Sequence, residues 1–174
     1  MARNSKSALL IVASKDYEET EFMNTKSALE SAGVDVVVAS NGPDRATSTA
    51  GKTTSTDDYT NINVNDYDAI VFIGGPGAKV LKEDKTALDI AKQSLSQKKV
   101  TAAICMAVSV LANAGLLKGK KATAYAEEKG NLEKKGAIFT GSLVEVTGNI
   151  VTGNGPSAAT KFGKTIADIL TSLR

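Results

Sequence analysis

Short apolar runs without polar alternation constrain this fold more than any other feature of the chain. Ala8-Leu9-Leu10-Ile11-Val12-Ala13, Ala69-Ile70-Val71-Phe72-Ile73 and Val100-Thr101-Ala102-Ala103-Ile104 are each one strand long. A strand with one face in water would alternate apolar and polar residues, so these runs read as strands buried on both faces of a parallel sheet. Val34-Asp35-Val36-Val37-Val38-Ala39 is a further, β-branched run. Between the first run and this one, apolar residues recur at Phe22, Ala28, Leu29 and Ala32, and Gly33 stands where a helix C-cap belongs. The spacing predicts a helix over 18–32 and an opening βαβ unit with a right-handed crossover.

Residues 40–64 change to Thr, Ser, Asp, Asn and Gly with patchy alternation, which predicts an excursion of short antiparallel strands or loop. Residues 88–95 predict a helix, as does the stretch after Cys105 through Val108, Leu111 and Ala112 to Gly115. Short strands are expected at 121–125, 138–139, 143–146 and 150–151, and an amphipathic helix at 158–173. Strands alternating with helices argue for one α/β domain over residues 1–174, a mostly parallel, doubly wound sheet with helices on both faces. Sites in such sheets lie beyond the carboxyl ends of the strands, where loops 14–21, 74–78 and 105–107 would meet.

Composition then removes whole classes of chemistry. The sequence has no histidine, so neither Ser-His nor Cys-His catalysis is available within one chain. With one cysteine, a metal site would need carboxylates alone, and none has calcium-loop spacing, so no metal and no cofactor is expected. The same count gives a free thiol rather than an internal disulfide. A formal net charge of +2, from 21 basic and 19 acidic side chains, argues against a nucleic-acid partner. A polar start and the lack of any long apolar run predict a cytoplasmic protein without a membrane partner.

Cys105 follows a buried strand and precedes a helix, which places its sulfur near a helix N-terminus and predicts a lowered thiol pKa. The competing reading is a small buried hydrophobe, the commonest state of a free cysteine. The loop Asp16-Tyr17-Glu18-Glu19-Thr20-Glu21 lies over the same sheet edge, where one carboxylate could reach the sulfur or all could serve the helix dipole. Gly74-Gly75-Pro76-Gly77 lacks the spacing of a dinucleotide-binding fingerprint. The Gly75 N–H and the Met106 N–H after the cysteine could instead form an oxyanion hole, or the glycines could mark a plain turn. Gly153-Asn154-Gly155-Pro156 carries the same ambiguity.

Together, Ala8 to Ala13, the acidic loop, Tyr67 through Ala78 with its Gly74-Gly75 pair, Ala102-Ala103-Ile104-Cys105, Leu116 through Thr123 and the Gly153 to Pro156 turn resemble the ThiJ/PfpI superfamily. This class I glutamine-amidotransferase-like group includes PfpI peptidases and the parkinsonism-associated deglycase. The resemblance implies a flavodoxin-like three-layer α/β/α sandwich, homodimers or larger assemblies, Cys105 as nucleophilic or redox-active residue, and Glu21 as a protonated carboxyl bonded to it. It also implies that Gly75 and Met106 face a bound oxyanion. The chain departs from the pattern at two points: Met106 stands where peptidase-like members have a histidine, and the segment reaching Tyr125 lacks the histidine of the deglycase relatives. Tyr125 is a candidate replacement proton donor. The expected function is action on a small carbonyl compound as a glyoxalase- or deglycase-like hydrolase or lyase, or else stress sensing or chaperone-like binding through oxidation of Cys105. Peptidase activity is disfavoured by the missing histidine.

Overall fold

The computed structural model describes residues 4–172. Its elements, in chain order, are β1 (Ser7–Val12), β2 (Lys15–Tyr17), α1 (Glu19–Ser31), β3 (Asp35–Ser40), β4 (Arg45–Ser48), β5 (Thr53–Ser55), β6 (Asp57–Asp58) and β7 (Ala69–Phe72). They continue with α2 (Ala78–Leu81), α3 (Lys85–Ser96), β8 (Val100–Ile104), α4 (Val108–Asn113), β9 (Lys121–Ala122), α5 (Lys129–Lys134), β10 (Ile138–Phe139), β11 (Val144–Thr147), β12 (Ile150–Gly153) and α6 (Ala159–Ser172). A seven-stranded sheet in the order β11-β12-β8-β7-β1-β3-β6 forms the middle layer. It is parallel throughout except for β11, which runs antiparallel to β12.

The apolar runs explain this order. Every residue of β1, β7 and β8 is buried, and each large aliphatic side chain so placed contributes about 1.5–3 kcal/mol, enough to pin the register of the central strands. Helices α1 and α6 pack on each other and on β1, β3, β8 and β12, while α3 and α4 cover β7 and β8. The result is the mostly parallel α/β sandwich that the sequence predicts. Gly163 of α6 sets how close that first pair comes, because a Cβ there would lie 2.8 Å from Ala28 Cβ. Helix α1 is capped by Glu18, whose side chain accepts the Glu21 N–H at 2.6 Å, and is closed off by Gly33, with φ +82° and its N–H bonded to Glu30 O.

The 40–64 region does contain an antiparallel pair, β4 with β5, but it also differs from expectation. β4 pairs in parallel with β2, and β6 joins the main sheet in parallel with β3. The strand expected at 121–125 stops at Ala122. The Thr123 N–H leaves the ladder for Thr152 Oγ1 at 3.0 Å, and Tyr125 opens a 3₁₀ turn, Ala126–Glu128. Of the closing helix, Leu173 lies outside the described residues. Among the described residues, no helix is long and apolar enough to cross a membrane.

Candidate active site

The three loops expected beyond the strand ends do meet. Glu18 N–H donates to Gly74 O at 2.9 Å and Gly77 N–H to Asp16 O at 3.0 Å, so the loop after β1 is laced to the loop after β7. Gly75 requires its small size here: its φ is +106°, and a Cβ would fall 2.5 Å from Glu18 N. At Gly77 a Cβ would meet Lys15 O at 2.0 Å. The glycine cluster therefore does more than turn the chain, since it lets two loop backbones touch beneath the pocket.

Cys105 closes the third side. It has φ +61°, a left-handed conformation that is costly for a residue with a Cβ. The strain aims the side chain out of the strand line toward the other loops, as at the elbow of other nucleophiles. The residue is 6% exposed. The N–H groups of Met106 and Gly75 both bond to its sulfur.

Glu21 reaches the same point from the first turn of α1 and is fully buried. Its Oε1 accepts the Gly74 N–H at 3.0 Å. Its Oε2 takes no well-formed hydrogen bond, which leaves it to the Cys105 thiol with which the carboxyl interacts. Burial pushes the Glu21 pKa up to about 7; the bond to Cys105 and the Gly74 N–H pull it down, and the Glu18 charge pushes it up. Burial also drives the Cys105 thiol well above the ordinary thiol range, reinforced by the charge and hydrogen bond of Glu21 and opposed by the Met106 and Gly75 N–H groups.

The expected lowering of the thiol pKa is thereby corrected. A single 3₁₀ turn, Cys105–Ala107, separates the sulfur from a helix of only six residues, and its dipole does not offset desolvation and a neighbouring acid. The two groups act as one unit that holds at most a single negative charge near neutral pH. A proton on Glu21 removes the charge repulsion but not the burial that raises the thiol, so it eases ionisation of the sulfur, which the two backbone donors also favour.

A cavity of about 350 Å³ opens onto the pair, lined by Glu18, Glu21, Gly75, Pro76, Lys79, Cys105, Met106, Tyr125, Glu127 and Pro156. Gly74 does not line it but touches it through its N–H bond to the lining residue Glu21. Of the residues singled out from sequence, the structure gathers Cys105, Glu21, Gly74, Gly75, Met106 and Tyr125 in one place. Tyr125 is 39% exposed at the rim and donates its N–H to Cys105 O at 3.3 Å. Sequence reasoning left Glu18, Lys79 and Glu127 without individual roles. Glu18 was visible as the residue three before Glu21, at N-cap spacing, whereas nothing local marks Lys79 or Glu127. Among the described residues, no set of three or more Cys, Asp or Glu side chains gathers to hold a metal.

Known proteins match this arrangement over nearly its whole length. The sequence profile of the DJ-1/PfpI family matches residues 6–169. An uncharacterized protein of Methanocaldococcus jannaschii is 37% identical over 165 residues, covering 92% of this chain and 80% of that protein. A deglycase of Pyrococcus abyssi is 30% identical over 149 residues, covering 85% of this chain and 90% of that protein. The crystal structure of a ThiJ/PfpI domain protein from Brachyspira murdochii superposes with a TM-score of 0.95 at 28% identity, covering 99% of this chain and all of that one.

Proposed function

Because the chain belongs to the DJ-1/PfpI family, we propose that it acts on small carbonyl compounds in the manner of a glyoxalase- or deglycase-like hydrolase or lyase, with Cys105 as nucleophile and Glu21 as proton carrier. One observation carries the reading: a strained cysteine at the floor of a pocket, with two backbone N–H groups on its sulfur and a buried carboxyl beside it. For an α-oxoaldehyde, the sulfur adds to the aldehyde carbon, and the carbonyl oxygen takes the proton of the pair to become a hemithioacetal hydroxyl. The Gly75 and Met106 N–H groups hold that oxygen as charge develops. Glu21 then takes the proton from the same carbon and returns it to the neighbouring carbonyl carbon, while the hemithioacetal hydroxyl proton passes to the neighbouring oxygen, giving a thioester of a 2-hydroxy acid. Water cleaves the thioester and restores the thiol. One oxoaldehyde and one water give one 2-hydroxy acid, so no external oxidant is needed.

A carboxyl with a pKa near 7 suits a group that must both give and take a proton at neutral pH. Methylglyoxal consumption with formation of the hydroxy acid is the test. Cys105→Ala and Glu21→Ala should each lower turnover by about 10² or more, and turnover that survives Cys105→Ala overturns the reading. Cytoplasmic residence and a homodimer or larger assembly belong to the same proposal, and light scattering of the purified protein reads the assembly directly.

A second reading rests on the two N–H groups meeting at the sulfur itself. They would also hold a sulfinate, formed when the thiolate takes two oxygen atoms from two peroxides and releases two waters. Intact mass after mild peroxide, with and without Cys105→Ala, distinguishes this sensing role from turnover.

A further inference from the structure

The turn from Tyr125 to Glu128 gives Tyr125 and Glu127 to the pocket lining, and its last residue is buried in the protein. Glu128 is 6% exposed, and its Oε1 accepts from Lys82 Nζ at 3.1 Å and from Ser109 Oγ at 2.8 Å. Asn131 Nδ2 donates to Ser109 Oγ and to Asn113 Oδ1, each at 3.0 Å, and Asn113 Nδ2 donates to Lys82 O at 2.9 Å. The bonds close on themselves.

The ring joins three segments that each frame the pocket. Lys82 directly follows α2, which is preceded by Gly75-Pro76-Gly77; Ser109 and Asn113 lie on α4, just beyond Cys105 and Met106; Glu128 ends the turn that follows Tyr125 and contains Glu127. From Glu128 a backbone path leads back to the cysteine: Glu128 N–H donates to Tyr125 O at 2.8 Å, and Tyr125 N–H donates to Cys105 O at 3.3 Å.

A pair between lysine and a buried carboxylate is a poor device for stability alone, since desolvation consumes much of the attraction. A closed network with every member satisfied does fix geometry. We propose that Glu128, held by Lys82 and Ser109, is a positioning residue that sets the width of the pocket mouth and holds the Cys105 elbow through Tyr125.

The test compares the labelling of Cys105 by iodoacetamide and by a bulky maleimide at one pH, in wild type, Glu128→Gln, Ser109→Ala and Asn113→Ala. Ser40→Ala removes a buried hydroxyl pair with Thr56 at the end of β3, outside the pocket lining, and serves as a control for lost stability alone. In the ring variants, the maleimide-to-iodoacetamide rate ratio should rise by about fivefold or more, because small displacements in a site have effects of that size or larger. The control should stay within about twofold while its melting temperature falls. A ratio unchanged in folded Glu128→Gln overturns the proposal. If Glu128→Gln does not fold, an unchanged ratio in Ser109→Ala and Asn113→Ala does so. Thiol labelling does not depend on the carbonyl chemistry, so loss of methylglyoxal turnover in wild type leaves this result standing.

Discussion

Glu21→Gln keeps the shape of the side chain and its acceptor for the Gly74 N–H but removes the proton it exchanges with Cys105. The consequence is worked from the pair. A Cβ placed on Gly74 would lie 2.7 Å from both Cys105 Cβ and Glu21 Oε1, so by the triangle rule those two atoms are no more than 5.4 Å apart. Two unit charges about 5 Å apart at an effective dielectric of about 20 repel by about 3 kcal/mol, or about 2 pK units. In the wild type the pair loses its first proton near pH 7. Beyond that point the share of its single charge that sits on sulfur is constant. The alkylation rate should therefore climb to pH 7 and level until the second proton begins to leave. Without the carboxyl there is no such plateau, and the rate keeps rising tenfold per pH unit while the thiol is mostly protonated. Glu21→Gln should match wild type below pH 6, exceed it by about tenfold at pH 8, and approach a limit of about 10² set by the coupling. Iodoacetamide kinetics between pH 5 and 9, followed by intact mass, read both curves. A wild-type profile that crosses pH 7 without a break, or a variant that superposes on it at pH 8, refutes the coupled pair.

The same carboxyl makes stability depend on pH with an unusual sign. The folded protein holds the Glu21 proton more tightly than the unfolded chain does, with a pKa raised from 4.5 to about 7. The stabilisation is thus full below pH 4.5 and is lost as pH rises through 7, up to a ceiling of about 3 kcal/mol. Urea midpoints for wild type and Glu21→Gln at pH 5 and 8 should show that the variant lacks most of this fall, and equal slopes would count against it. Gly163→Ala tests the contact between α1 and α6. The added Cβ would meet Ala28 Cβ at 2.8 Å and Thr25 O at 3.0 Å. Overpacking of about 1–3 kcal/mol should outweigh the helix-propensity gain of about 1 kcal/mol, so the melting temperature falls, and a rise would refute the close approach.

What could be read from the sequence follows from how local each cause is. β1, β7 and β8 were legible because burial on both faces leaves a mark in every residue of the strand. β6 was not, because Asp57-Asp58 joins β3 through backbone hydrogen bonds alone and its side chains follow no core pattern. β9 is short because Thr123 finds its partner 29 residues away at Thr152, and no β propensity in 121–125 encodes that choice. In the site, Cys105 stood out as the one thiol at the end of a strand, and its strained φ is compatible with that position. Glu21 emerged only through resemblance, since four acids crowd one loop and helix phase decides that Glu21 turns inward while Glu18 caps. The direction of the thiol shift was misjudged for a related reason. The helix start that would lower it is visible in the sequence, but the burial and the neighbouring acid that raise it are assembled from three loops. The ring around Glu128 is the limiting case. It draws on α4, α5, Lys82 and the 126–128 turn, and its members are ordinary surface residues by type, so only the fold distinguishes them. The groups most able to tune Cys105 are therefore the ones least visible from its own stretch of chain.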